Sequence, residues 1–135
     1  MTYVLDACAL VAFFNQETEG IKVKELLEHT KAGKHTLYKS IVNLVEVYYH
    51  FIRDRGKMAA DELLENMKYL PIEVIDTISE AVYRQTAHFK SHYHISLADA
   101  FACAAAQCLD ATLVTKDSEV EEAEEKEALS VFWIK

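Results

Sequence analysis

Short apolar runs alternate with longer stretches of helical spacing along this chain. Thr2 to Leu5 mixes β-branched and aromatic residues directly before Asp6 and predicts a buried strand, with a helix over Ala7 to Phe14. Ile21, Leu26 and Leu27 give an amphipathic helix over Thr18 to Ala32 that Gly33 closes, and Thr36 to Tyr38 is a second short strand. A strongly apolar helix spans Ser40 to Arg55, ended by Gly56, and another runs from Met58 to Tyr69 before Leu70-Pro71. Ile72, Val74 and Ile75 suggest a third strand. Thr77-Ile-Ser-Glu80 is a capping-box pattern opening a helix to about Ser91, and Ser96-Leu-Ala-Asp99 opens an alanine-rich helix to about Cys108. Ala111 to Thr115 and Leu129 to Ile134 are the remaining strands. Strands separated by helices imply an α/β fold: a three-layer α/β/α sandwich on a central, mostly parallel sheet of four to five strands.

Size and composition agree with that reading. A chain of 135 residues has the length of one domain, taken as residues 1–135, and can bury a core without disulfides or structural metal. Three Gly and one Pro leave little room for long linkers. No apolar run is long enough to span a bilayer and no signal-peptide pattern opens the chain, so a cytoplasmic protein without membrane contact is expected. Cys8, Cys103 and Cys108 lack CxxC spacing and lie among apolar residues, which reads as buried free thiols. The net charge of -8 argues at first against a polyanionic partner. Seven acids and one Lys between Asp117 and Glu127, however, carry most of that charge, so the acidity is local.

In open parallel sheets ligands bind beyond the carboxyl ends of the strands. Asp6 and Asp117 stand just past predicted strands, although each can equally be a helix N-cap. Glu46 is the only acid between Ser40 and Arg53, on a helix apolar nearly all round. Asn43, Glu46, His50 and Arg53 share one stripe of that helix, which is either a narrow solvent-facing strip or the wall of a polar cleft. We take it as the cleft, with His50 and Arg53 farther out as possible substrate contacts. Asp99, at the third helical position after Ser96, can cap its helix. The apolar stretch that follows shows that this helix packs deep in the domain. Four carboxylates in one crevice would repel, by about 4 kcal/mol per pair at ~4 Å for an effective dielectric near ~20. A hard divalent cation, Mg²⁺ or Mn²⁺, would offset that repulsion, and such ions also bridge phosphate oxygens and activate water.

These segments together resemble the PIN-domain nucleases, and within them the VapC-type toxins of toxin–antitoxin modules. Tyr3-Val-Leu-Asp-Ala-Cys-Ala-Leu10 is similar to the family's first strand and first catalytic Asp, with Ala7 and Cys8 where a hydroxyl residue is common. Ser40-Ile-Val-Asn-Leu-Val-Glu46 and Ser96-Leu-Ala-Asp-Ala-Phe-Ala-Cys-Ala-Ala106 resemble the segments that carry the second and third acids. Leu113-Val-Thr-Lys-Asp117 is similar to the family's Thr-x-Asp signature, and Ser130-Val-Phe-Trp-Ile134 to its last strand. The resemblance implies catalytic, metal-holding Asp6, Glu46, Asp99 and Asp117, with Thr115 fixing local geometry or a metal-bound water and Asn43 in support. It implies an Mg²⁺- or Mn²⁺-dependent endoribonuclease leaving 5′-phosphate and 3′-hydroxyl ends, a homodimer, and a partner antitoxin that carries the DNA-binding part.

Two other functions fit the same residues: a PIN nuclease of RNA maturation without an antitoxin, and a PIN-like module that has lost catalysis and binds RNA or protein. The presence of all four acids argues against the last. His88, His92 and His94 cluster without a Cys or acid to complete a zinc site, and so face RNA or form an ordinary helix end. Val11, Phe13, Phe14, Tyr48, Tyr49 and Phe51 are expected in the core, any exposed remnant marking a partner patch. The Glu119 to Glu127 run is expected as a solvated helix face or loop pointing away from the substrate path.

Overall fold

The structure, a computed structural model, describes residues 1–135. Five strands form one parallel sheet: β1 (Thr2–Leu5), β2 (Thr36–Ser40), β3 (Ile72–Ile75), β4 (Thr112–Thr115) and β5 (Val131–Trp133), in the order β3-β2-β1-β4-β5. The chain winds outward from β1 through β2 to β3, then returns to the other side of β1 for β4 and β5. That reversal puts a switch point between β1 and β4, where the following connections leave in opposite directions and open a crevice.

Seven helices cover the sheet: α1 (Ala7–Phe14), α2 (Gly20–Lys31), α3 (Ile41–Arg55), α4 (Lys57–Met67), α5 (Glu80–His92), α6 (Leu97–Cys108) and α7 (Glu121–Lys126). The two-residue strand period divides the core. Tyr3, Leu5, Leu37 and Val114 join Leu10, Val23, Val47, Phe51 and Leu63 of α1 to α4 in one apolar cluster. Val4 and Leu113 point the other way, into a cluster with Phe89 of α5, Ala123 of α7 and the alanines of α6. The predicted three-layer sandwich is thus present, with all five strands parallel. No helix is long and apolar enough to cross a membrane.

Short polar side chains open the helices that matter for the site. Asp6, Ser40, Ser79 and Ser96 each accept an N–H from the first turn of the next helix. Gly56, with φ of 87°, makes the sharp joint between α3 and α4. Gly20 permits a close crossing of α1 and α2, because a Cβ there would stand 2.4 Å from the Ala12 carbonyl oxygen.

Several boundaries differ from expectation. β2 runs on to Ser40, since β3 pairs with it as far as Ser40–Ile75. The Thr77–Glu80 box does not form: Ser79 satisfies the first turn through the Val82 N–H, so α5 starts at Glu80 and the Thr77 hydroxyl turns to Asp76. Of the three thiols only Cys103 is buried, for Cys108 is exposed in the last turn of α6 and Cys8 is half-buried in the crevice. Among the aromatic residues expected inside, Phe51 is fully buried, Phe13, Phe14 and Tyr48 pack at the rim, and Tyr49 is exposed.

Candidate metal centre

The crevice between β1 and β4 is built from the strand ends upward. Asp6 directly follows β1, where its N–H still reaches the Val114 carbonyl oxygen at 3.3 Å, so the ladder itself fixes its position. It is 1% exposed. One carboxylate oxygen accepts the Ala9 N–H at 2.9 Å, so the capping role is real, but the same carboxylate also faces the crevice. The Cys8 thiol donates to it at 3.0 and 3.2 Å, taking the place where the family often has a hydroxyl. Burial raises the Asp6 carboxyl above its ordinary range against these hydrogen bonds, with a further push from Asp117.

Thr115 ends β4 and is wholly buried. Its hydroxyl accepts the Asp117 N–H at 3.0 Å and lies against both Asp6 and the Cys8 sulfur. It therefore ties the two post-strand aspartates into one unit. Asp117 in turn caps a single 3₁₀ turn, Ser118–Val120, by accepting the Glu119 N–H at 3.0 Å.

Asp99 enters from the start of α6. Its N–H bonds to the Ser96 hydroxyl at 3.1 Å, as the capping pattern requires. In a reciprocal box the Asp99 carboxylate would also take the Ser96 N–H. Glu119 takes it instead, at 3.0 Å, which leaves the Asp99 carboxylate turned to the crevice. Asp99, Asp117 and Glu119 offer oxygens that all lie within 4.8 Å of one another. Burial first, then the contacts with Asp117 and Glu119 and repulsion from Asp6, push the Asp99 carboxyl up to about 9.

Glu46 reaches in from α3. Asn43, fully buried one turn earlier, anchors that helix by accepting the Ser40 hydroxyl at 2.8 Å and donating to the Ala98 carbonyl oxygen at 3.3 Å. This contact joins the starts of α3 and α6 and so fixes the helix that carries Glu46. Burial and the fields of Asp6, Asp117 and Glu119 raise the Glu46 carboxyl.

Of the four sequence-predicted acids, Asp99 and Asp117 approach each other, joined by Glu119, while Asp6 and Glu46 lie near enough to be acted on by their charges; Thr115 touches Asp117 and Asn43 holds the start of the Glu46 helix. The crevice does not assemble His50 and Arg53. Both are exposed farther along α3, where Arg53 lies over the Tyr49 ring at 5.7 Å, and they line with Tyr49 and Asp54 a hollow of about 330 Å³ that contains none of the acids. Sequence reasoning missed Glu119, which was expected to point away with the rest of the acidic run. The available signal was its place two residues after Asp117, within the same turn.

The donor set fits a hard divalent cation on this structure's own terms. One oxygen of Glu46 is buried without any hydrogen-bond partner. The nearest ion pair, Lys116 with Glu17 at 2.8 Å, is closed on itself at the rim, and no Lys or Arg forms an ion pair with any of the five acids. A buried group of carboxylates without a cation is unfavourable, and oxygen-only ligands select Mg²⁺ or Mn²⁺ over softer ions.

A doubly wound parallel sheet with carboxylates gathered at its switch point defines an acidic-centre α/β/α protein. The family model for the PIN domain matches residues 3–126, and the chain belongs to that family. No curated protein sequence matches it. Among solved structures, VapBC2 from Rickettsia felis, bound to a DNA fragment from its promoter, is similar with a TM-score of 0.76 at 22% identity, over 98% of each chain. VapBC-1 from nontypeable Haemophilus influenzae aligns with a TM-score of 0.72 at 18% identity, over 99% of this chain and 98% of that one. Mycobacterium tuberculosis VapC20, a sarcin-ricin loop cleaving toxin, aligns with a TM-score of 0.68 at 16% identity, over 91% and 95%. At such identities the likeness is one of fold.

Proposed function

We propose that this protein is a metal-dependent endoribonuclease and the toxin of a toxin–antitoxin pair. The observation that carries the reading is the approach of Asp99, Asp117 and Glu119 oxygens to within 4.8 Å of one another, close enough to Asp6 and Glu46 for their charges to act on these, with no Lys or Arg paired to any of them. Mg²⁺ or Mn²⁺ held there would activate water and stabilise the charge on a phosphodiester undergoing in-line displacement. Asp6, Asp99 and Asp117, with Glu119 beside them, would hold the ion. Glu46, with its free buried oxygen, would orient the attacking water and accept its proton. Thr115 and Cys8 keep the Asp6 carboxylate in place, and Asn43 keeps the Glu46 helix against α6. His50 and Arg53, about one and two turns along α3 from Glu46 and outside the acidic crevice, would receive RNA phosphates as the strand leaves it.

Membership of the PIN family and the fold shared with VapBC toxins support the toxin reading. A cavity of about 440 Å³ between α1 and α2, lined by Phe13, Phe14 and Ile21 with Glu17 and Lys24, is a surface suited to an antitoxin arm. A homodimer in the cytoplasm belongs to the same proposal.

The test is cleavage of a structured RNA by the purified protein with Mn²⁺ or Mg²⁺. Cleavage should vanish on chelation and in Asp6→Asn or Asp99→Asn, both still folded by circular dichroism. Absence of metal-dependent cleavage with intact RNA binding would instead identify a non-catalytic module. Co-purification from the host separates a toxin, which brings a small DNA-binding protein with it, from a maturation nuclease, which does not.

A further inference from the structure

Lys116 is the only Lys or Arg within two residues of any of the five crevice acids, standing between Thr115 and Asp117. Its backbone N–H is fixed on the Cys8 sulfur at 3.4 Å, and its ammonium donates to Glu17 Oε1 at 2.8 Å. The end of α1 sets Glu17 in place. The Glu17 N–H reaches back to the Ala12 carbonyl oxygen at 3.0 Å and the Gln16 N–H to that of Phe13 at 3.2 Å, with Gln16 left-handed at a φ of 55°. Those two bonds are the paired closure that ends many helices, there usually on a glycine. The charge of His50 on α3 also acts on Glu17, and Arg55 of the same helix donates to Asn15, two residues before it. One carboxylate thus draws basic side chains from the end of β4 and from α3, the elements that carry Asp117 and Glu46 to the crevice. The pair also keeps the ammonium off Asp117, one residue away, whose oxygens stay open to a cation.

A phosphate of an RNA strand has the same sign of charge and the same kind of acceptor oxygens as that carboxylate. Exchange between the two costs little, because both partners are open to water, at 31% and 33% exposure, and a pair so exposed adds little to stability. A chain of net charge -8 also needs cationic contacts of this kind to hold a polyanion. Resting on the nuclease reading, we propose that Lys116 binds a backbone phosphate of the RNA at the mouth of the crevice, and that Glu17 holds its ammonium in the free protein and gives it up when RNA arrives.

The test uses the full chain and a fluorescein-labelled RNA hairpin, with binding followed by anisotropy in Ca²⁺ and cleavage in Mn²⁺. Lys116→Met should raise Kd about tenfold, move KM rather than kcat, and lower the slope of log Kd against log salt by about one. Lys116→Arg should restore most of the affinity. Glu17→Gln should lower Kd about threefold, and that gain should vanish when Lys116→Met is added. Each variant should melt close to the unmodified protein, since the pair lies at the surface. A Kd unmoved by either single change, or a Glu17→Gln gain that persists without Lys116, would overturn the proposal while leaving the nuclease reading intact. RNA that is bound but not cleaved would end the nuclease reading, with the same comparison of Kd values still deciding the role of Lys116. No binding of RNA at all would end both.

Discussion

Two regions of this molecule are rich in carboxylates and behave in opposite ways. On α7 and the segment after it nearly every acid has a donor: Glu121 meets Lys135, Glu122 meets Lys126 at 2.7 Å, Glu124 takes the Trp133 indole N–H, and Glu127 takes the Tyr93 hydroxyl at 2.7 Å and His88 at 2.8 Å. The Tyr93 hydroxyl and then His88 hold the Glu127 carboxyl below its ordinary range. In the crevice the acids have N–H, hydroxyl and thiol donors but no cation, and burial raises three of them. The same residue type therefore fastens a helix in one place and in the other creates a demand for a metal ion. Composition does not separate the two; the partners do.

The strongest way to break this comparison is to neutralise one acid in each region. Asp99→Asn should abolish metal-dependent cleavage, a loss beyond the roughly 10–100-fold expected from residues that only orient metal ligands. It should also raise the Tm of the metal-free protein by about 4 °C, since a neutral side chain there no longer has to take up a proton on folding. Glu127→Gln should do the reverse, leaving cleavage intact and lowering Tm by no more than about 3 °C. Equal effects of the two changes on Mn²⁺-dependent cleavage would remove the distinction.

Varying pH sharpens it next. The folded Asp99 carboxyl titrates near 9, above its unfolded value of 3.8, so its protonated form favours the folded state. That contribution is fully present below the unfolded value and fades as pH rises through about 9. The metal-free protein should therefore melt at a lower temperature at pH 9 than at pH 6, measured by calorimetry. Protons and metal compete for the same oxygens, so Mn²⁺ affinity should rise over that interval and saturating Mn²⁺ should flatten the dependence.

Glu119 sits where the two regions meet, and its variants have intermediate effects. Glu119→Gln keeps an acceptor for the Ser96 N–H and should preserve Tm while weakening Mn²⁺ binding about tenfold by titration calorimetry. Glu119→Ala loses the acceptor as well and should cost about 1 kcal/mol of stability in denaturant titration. The smallest effect belongs to Cys8. Cys8→Ser replaces one donor to Asp6 by another and should change cleavage by no more than about twofold, a difference of about 0.4 kcal/mol in the barrier.

Much of this was legible in the chain. The five strands, the helix cap at Ser96 and the four acids in order follow from two-residue and helical spacing, from capping chemistry and from the resemblance of four short segments to one family. What could not be read locally concerns contacts made across the chain. Thr77 and Ser79 are both competent caps, and the structure uses Ser79. Glu119 looked like the first acid of a solvated run because nothing near it in sequence announces that Ser96 lies within hydrogen-bond reach. Cys8 was read as a buried thiol, yet it bonds to Asp6 and lies 3.5 Å from Thr115, which is 107 residues away.

By itself the sequence determined the alternation of strands and helices and which carboxylates follow strand ends, because those properties depend on residues within a turn or two of each other. Only the tertiary structure decided which acids lose their partners and which keep them. Desolvation and Coulomb repulsion depend on distances in space, and those are set when β1 and β4 pair and α3 and α6 close over their ends.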